Sequence, residues 1–322
     1  MSRKLRVAVL HGGQSAEHEV SLMSAAAILR ELDRSRYEVT PVFISREGRW
    51  DISLEQLREF DVVFPVLHGP MGEDGSVQGL LAVLGVPFVG ADVFGSAVGM
   101  DKAIFKDIMR ARGLPVTPYL VLSRAEWVRE RPAIEARILA DLRLPCFIKP
   151  ARMGSSIGVT KVKSAEQLGD ALDEAFRWDR KALAEQAVLH ARELEVSVLG
   201  NDVLRASVVG EVVPSREFYD YAAKYLDEGE HASKLLVPAP LPNNVAEHIR
   251  DLAIAVTKAI DARGMARVDF LMNGHSGEVF VNEINTIPGF TAISMYPRLW
   301  LASGMSYSAL LDTLIALALE GK

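Results

Sequence analysis

The residue types most suited to chemistry lie near the C-terminal end of the chain, in two short segments, Arg267-Val268-Asp269 and Asn282-Glu283-Ile284-Asn285. Both read as strands, Ala266–Met272 and Glu278–Ile284. Strand side chains alternate faces, so Arg267 shares a side with Asp269, and Glu283 with Asn285. A reversal centred near Ser276 sets Asp269 opposite Glu283 and Arg267 opposite Asn285. Two carboxylates and an amide on one face form a hard, all-oxygen site of the kind Mg²⁺ takes, its octahedral shell completed by phosphate oxygens and water. The plainer reading is the polar outer face of an edge hairpin with Arg267 in a surface ion pair, but Asp and Asn are depleted in strands.

Three further segments carry reactive groups. Lys149-Pro150 precedes Met153-Gly154-Ser155-Ser156-Ile157-Gly158-Val159. The glycines allow a tight turn whose backbone N–H groups and serine hydroxyls could close over phosphates, with Lys149 supplying charge. The loop is neither a Walker A sequence nor GxGxxG, so a plain hairpin turn beside a solvated lysine fits equally. In His11-Gly12-Gly13-Gln14-Ser15-Ala16-Glu17-His18-Glu19, Ser15 suits a helix N-cap, and Glu17 and Glu19 suit the first turn. The sharper alternative has Glu17 projecting from a strand–helix crevice to hold an ammonium group. Finally, Phe218-Tyr219-Asp220-Tyr221 and Lys224-Tyr225 lie in a long segment from Pro214 to Pro242. Such a loop could fold over a nucleotide and exclude water, or be a flap whose tyrosines pack on the body.

The elements that must position these groups follow from periodicity. Strands at Leu5–Leu10, Glu38–Ile44, Asp61–Leu67 and Pro87–Val89 alternate with helices from Ser15 to about Leu32 and near Val77–Leu84, which predicts a parallel sheet covered by helices. Ligand groups then belong at the carboxyl ends of the strands, where His11–Glu17 and His68–Asp74 fall. After helix Asp101–Arg112 the character changes to a mixed α+β unit. Helices Ala125–Leu142 and Ala165–Phe176 flank strands Cys146–Lys149 and Val159–Val162. Strands Leu194–Leu199 and Val203–Val213, helix Val245–Ala262, the hairpin and a helix near Tyr307–Glu320 complete the chain.

Composition narrows the classes. At 322 residues the chain favours two or three domains. Its 49% apolar and 24% charged residues are an ordinary globular mix. A single cysteine, Cys146, set among Leu144, Pro145, Phe147 and Ile148, excludes an internal disulfide or a Cys-ligated zinc site and reads as buried filler. A net charge of −6 with no long basic run argues against nucleic-acid binding. The apolar run before His11 is too short for a signal segment, and no stretch reaches the length of a membrane helix, so no membrane association and a cytoplasmic location are expected.

Taken in order, HGGQSAEHEVSL, LHGPMGEDGSVQGLL, GMDKAIFK, IKPARMGSSIGV, FYDYAAKY, ARVDF and NEINTIPGFT resemble the D-alanine–D-alanine ligase family of the ATP-grasp superfamily, from residue 11 to residue 291. The resemblance implies an N-terminal Rossmann-like α/β domain over 1–101 and two ATP-grasp subdomains, 102–184 and 185–322. Lys102, Lys149 and Ser156 should then bind ATP phosphates, Glu185 and Val188 the adenine, and Glu193 the ribose, with Asn282 also on the nucleotide. Lys224 and Arg267 should contact the transferred phosphoryl group. Asp269, Glu283 and Asn285 should hold two Mg²⁺ ions, a place Mn²⁺ could also take. Glu17, Ser155 and Tyr225 should form a hydrogen-bonded set near the first D-alanine, with His68 nearby. Ser294 and Lys224 should receive the second substrate's carboxylate, and Arg267 with the Gly289 backbone N–H should stabilise the oxyanion. The implied reaction passes through an acyl phosphate to D-alanyl-D-alanine, a peptidoglycan precursor, made by a homodimer. A depsipeptide ligase taking D-lactate second is the nearest rival, and Tyr225 argues against it. A non-catalytic nucleotide sensor would be expected to lack the three metal positions.

Overall fold

The computed structural model describes residues 3–214 and 233–320. The first layer comprises β1 (Leu5–Gly12), α1 (His18–Glu31), β2 (Tyr37–Ile44), a one-turn α2 (Leu54–Leu57), β3 (Val62–Pro65), α3 (Ser76–Leu84) and α4 (Val93–Met100). Its sheet is parallel, in the order β2-β1-β3. The central strand is buried on both faces, as parallel strands generally are. Val7 and Val9 pack with Ala25 and Ile28 of α1, while Ala8 and Leu10 pack on the other side with Leu57 and Leu81.

Two expectations need correction here. Ser15 is not the N-cap: Glu17 takes that position without a side-chain cap bond. The Ser15 hydroxyl instead donates to the His68 carbonyl at 2.6 Å and accepts from the Glu17 N–H at 3.1 Å, tying the first loop to the third. Pro87–Val89 is also no full strand. Only a single parallel bridge joins Phe88 to Val63.

The second unit runs through α5 (Lys102–Ala111), β4 (Tyr119–Ser123), α6 (Arg124–Asp141), β5 (Cys146–Pro150), β6 (Thr160–Val162), α7 (Leu168–Trp178) and β7 (Lys181–Gln186). Its sheet is antiparallel, in the order β4-β7-β5-β6. Trp127, Ile138, Leu172 and Phe176 fill the space between this sheet and its helices. Helix α6 begins with a capping box between Ser123 and Glu126, and it is kinked where Glu130 leaves helical geometry two residues before Pro132. One uninterrupted helix was expected there. Strands β4 and β7 had no counterpart in the sequence reading.

The third unit holds β8 (Ala191–Gly200), β9 (Arg205–Val213), β10 (Lys234–Leu236), α8 (Asn243–Ala259), β11 (Gly264–Asn273) and β12 (Val279–Asn285), then α9 (Met295–Ala302) and α10 (Tyr307–Leu319). Its antiparallel sheet has the order β10-β9-β8-β11-β12. Val196, Val268 and Phe270 pack beneath α8 and also receive Phe105 and Met109 of α5. The segment after Pro214, read as one long connection to Pro242, contributes β10 to the edge of this sheet; Phe218, Tyr219, Tyr221, Lys224 and Tyr225 lie outside the described residues. Among the described residues no single helix is long and apolar enough to cross a membrane. The most apolar late helix, α10, instead buries Leu310, Leu311, Leu314 and Ile315 against Val7 and Phe64 of the first sheet.

Candidate active site

A cleft of about 870 Å³ opens where the two antiparallel sheets face one another and the first layer closes one end. Every predicted site residue in the described part of the chain lines it. The first layer contributes Glu17 and His68, and the second Lys102, Lys149, Ser155, Ser156 and Glu185. The third contributes Val188, Glu193, Arg267, Asp269, Asn282, Glu283, Asn285, Gly289 and Ser294. The predicted Lys224 and Tyr225 fall outside the described residues.

The β11–β12 hairpin has the register that alternation implied: Arg267 pairs with Asn285 and Asp269 with Glu283. Beyond that pair the register shifts, so that Phe270 faces Val281 and Asn282 has no partner. A bulge of this kind re-aims side chains, and Asn282 lines the cleft together with its neighbour Glu283 despite strict alternation. Arg267 is no surface residue. Its guanidinium grips Asp269 with bonds of 2.7 and 2.6 Å and reaches Glu195 at 3.0 Å. Burial opposes its charge, but Asp269 and Glu195 outweigh burial and raise its pKa further. Asn285 donates to Asp269 at 3.1 Å.

Among the described residues no group of three His, Cys, Asp or Glu side chains is gathered to hold a metal ion unaided. Two carboxylates beside two amides nonetheless fit a divalent cation that keeps water and phosphate oxygens in its shell. Lys102, whose Nζ stands 3.2 Å from Glu283 and donates to the Met153 carbonyl at 2.9 Å, connects those acids to the glycine loop.

That loop crosses from β5 to β6 over the end of α1. Ser155 and Ser156 both adopt left-handed backbone, with φ of 49° and 59°, a conformation uncommon outside glycine and concentrated at functional turns. The Ser155 hydroxyl donates to Glu17 Oε1. His68 sits beneath them, buried, with Nδ1 3.1 Å from the Ile287 carbonyl and 3.7 Å from Glu73. Burial lowers the His68 pKa, but the Glu73 carboxylate more than reverses this, so the net shift is upward. At the far side the Ser294 hydroxyl takes the Thr291 N–H at 3.0 Å and lies close over Gly289, where a side chain would collide with it.

Glu185 has an unexpected environment for an adenine contact. It is 2% exposed, and its carboxylate is held by Lys149 at 2.7 Å, by Lys106 at 2.7 Å and by the Thr117 hydroxyl. Burial alone would raise its pKa, yet the two ammonium groups hold it well below the usual carboxylate range. Sequence reasoning missed Glu73, Lys106 and Thr117. The first two lie inside motifs already singled out, LHGPMGEDG and GMDKAIFK, where spacing was the available signal: Lys106 is four residues after Lys102, one helical turn on.

Two antiparallel sheets clasping a cleft of lysines, a glycine–serine loop and paired carboxylates define an ATP-grasp ligase. Family models agree. The D-ala D-ala ligase C-terminus matches residues 108–316, and the D-ala D-ala ligase N-terminus matches 6–59 and 51–91. The chain is 49% identical to a D-alanine–D-alanine ligase of Thermoanaerobacter sp. (strain X514), covering 98% of this chain and 97% of the relative. It is 46% identical to the one from Deinococcus radiodurans, over 98% and 99%. Among solved structures, the D-alanine-D-alanine ligase from Coxiella burnetii superposes with a TM-score of 0.86 at 36% identity, covering 99% of this chain and 95% of that one. The VanG D-Ala:D-Ser ligase from Enterococcus faecalis gives 0.88 at 34%, over 98% and 100%. The chain belongs to the D-alanine–D-alanine ligase family.

Proposed function

We infer that this protein joins two D-alanine molecules into D-alanyl-D-alanine, with cleavage of ATP to ADP and phosphate. The observation that carries the reading is one cleft lined both by the bonded pair Glu17 and Ser155 and by the cross-strand pair Asp269–Glu283, with Lys102 between the glycine loop and Glu283. In this reading Glu17 receives the ammonium of the first D-alanine and, with Ser155 and His68, orients its carboxylate toward the γ-phosphate. Lys102 and Lys149 neutralise phosphate charge, and positioning of this kind is the main contribution a protein makes to phosphoryl transfer. Asp269, Glu283 and Asn285 would hold Mg²⁺ or Mn²⁺, which when bound screens the charge on the terminal phosphates.

Attack of the carboxylate oxygen on the γ-phosphorus releases ADP and leaves an acyl phosphate. The loop at Gly154–Gly158 then serves to keep water from it. The neutral amine of the second D-alanine, its carboxylate held by Ser294 and Lys224, attacks the carbonyl carbon. Arg267 and the Gly289 N–H stabilise the tetrahedral oxyanion, and inorganic phosphate departs. Glu193 and Val188, with Asn282 and Ser156, belong to the nucleotide end. We further propose that the chain acts as three domains, with the boundary expected between residues 184 and 185 moved past the end of β7, because Glu185 pairs with Tyr119 and Phe147 in the second sheet. We also propose that the enzyme is a cytoplasmic homodimer and that it serves peptidoglycan synthesis.

The test is release of phosphate from Mg·ATP that depends on D-alanine, with the dipeptide identified directly. Nucleotide binding without D-alanine-dependent turnover would overturn the assignment, and preferential ester formation from D-lactate near neutral pH would reject the choice of second substrate.

A further inference from the structure

Behind the cleft wall, Lys106 is 1% exposed and points from α5 into the space between β7 and β12. Its ammonium has three donors and three acceptors around it: Glu185 Oε1 at 2.7 Å, Thr117 Oγ1 at 3.4 Å and the Val281 carbonyl at 3.5 Å. Thr117 spends its own proton on Glu185, so its hydroxyl oxygen is left to accept. On the cleft side the other Glu185 oxygen holds Lys149 at 2.7 Å. A Lys149–Glu185 pair alone sums to zero charge and would offer a polyphosphate little more than a dipole. Burial lowers the Lys106 pKa and the Glu185 carboxylate opposes that; with the Lys106 ammonium charged, the buried cluster carries a net charge of +1.

We propose that Lys106 is a positioning residue for nucleotide binding: by neutralising Glu185 from behind, it lets that carboxylate fix Lys149 in place while the lysine still presents positive charge to the nucleotide's phosphates. The inference rests on the reading that Lys149 faces those phosphates. It assigns to Lys106 a role in phosphate affinity that packing alone would not give it.

The experiment compares Lys106→Met, the double variant Lys106→Met/Glu185→Gln, and wild type, each titrated calorimetrically with ADP and with adenosine in the presence of MgCl₂. The readout is the ratio of the two dissociation constants, which isolates the phosphate contribution from any change in base contacts. Lys106→Met should reduce the ADP preference by at least about tenfold, the scale for unmasking a buried charge. The double variant has a net charge of +1 again and should recover to within about threefold of wild type, because replacing both members of a buried pair removes the imbalance. Equal losses for ADP and adenosine, no loss in the single variant, or a deeper loss in the double variant would each overturn the proposal. If Lys106→Met does not fold, Lys106→Gln, which removes the charge but keeps a hydrogen-bond donor for Glu185, takes its place: the same loss of ADP preference is expected, and a wild-type ratio overturns the proposal. Phosphate release dependent on D-alanine, measured on wild type alone, separately reports whether the ligase reading itself holds.

Discussion

Asp269 and Glu283 face one another as direct cross-strand partners on β11 and β12, immediately before the bulge that frees Asn282. Their oxygens share the cleft with cations at both ends, Arg267 on Asp269 and Lys102 on Glu283. Glu283→Ala should therefore remove metal affinity without unfolding the hairpin, since Glu283 is only partly buried. Turnover should fall by on the order of 100-fold or more at limiting Mg²⁺, and the Mg²⁺ concentration for half-maximal rate should rise. Near-normal turnover at limiting Mg²⁺ would show that the metal is held elsewhere.

His68 makes stability depend on pH with a sign that Glu73 determines. The groups facing its ring are Glu73, Glu17, the Ile287 carbonyl and the Ser24 hydroxyl. Because the folded pKa is raised above the unfolded value of about 6.5, His68 stabilises fully below that value. The contribution is lost as pH rises through the folded pKa. In Glu73→Gln the main upward influence on His68 is removed while Glu17 and the Ile287 carbonyl remain, so the folded pKa drops and the stability this residue adds at low pH shrinks. Thermal melts of both proteins from pH 5.5 to about 8.5 should show a smaller loss of stability with rising pH in Glu73→Gln than in wild type; parallel curves would mean that Glu73 does not set the charge on His68.

Cys146 is fully buried among Trp127, Ile148 and Val162, and burial pushes its thiol up to about 11. The thiolate is the reactive form, so the native protein at pH 8 should resist disulfide-exchange reagents. Reaction should appear only as denaturant opens the second unit, tracking loss of the ellipticity signal. Labelling of the native protein at the rate of a free thiol would contradict the packing of β5.

What could be read in advance follows physical lines. The hairpin register was legible because alternation and a short reversal leave little freedom, and Asp269 opposite Glu283 follows from them alone. Strand β7, Lys181-Ala182-Leu183-Ala184-Glu185-Gln186, was not legible, because alanine and glutamate have weak strand preference and only its pairing with β4 and β5 makes it extended. Ser15 looked like a cap on local grounds, yet its hydroxyl bonds the distant His68 carbonyl, a tertiary choice no local pattern records. The buried cluster brings Thr117, 68 positions away, and Lys106, farther still, onto Glu185, which single-sequence spacing cannot reveal.

Two glycines of the loop between β5 and β6 should separate stability from function. Gly158 has φ of +69°, and a Cβ there would stand 2.5 Å from the Trp178 ring and 2.8 Å from Pro150. Gly158→Ala therefore strains the backbone and collides with packed groups, and it should lower the melting temperature by an amount corresponding to about 1–3 kcal/mol. Gly154 carries no such backbone constraint, and its added methyl would meet one thing closely, the Glu17 carboxylate at 2.8 Å. The flexible end of Glu17 can swing aside, so Gly154→Ala should fold with stability within about 0.5 kcal/mol of wild type. Moving that carboxylate breaks its contact with Ser155 and shifts the group assigned to the first substrate's ammonium. The KM for the first D-alanine should then rise by roughly tenfold, the effect of losing about 1.4 kcal/mol of binding, while the KM for ATP changes little. A Gly154→Ala enzyme with unchanged KM for D-alanine would mean that Glu17 does not hold the first amino acid.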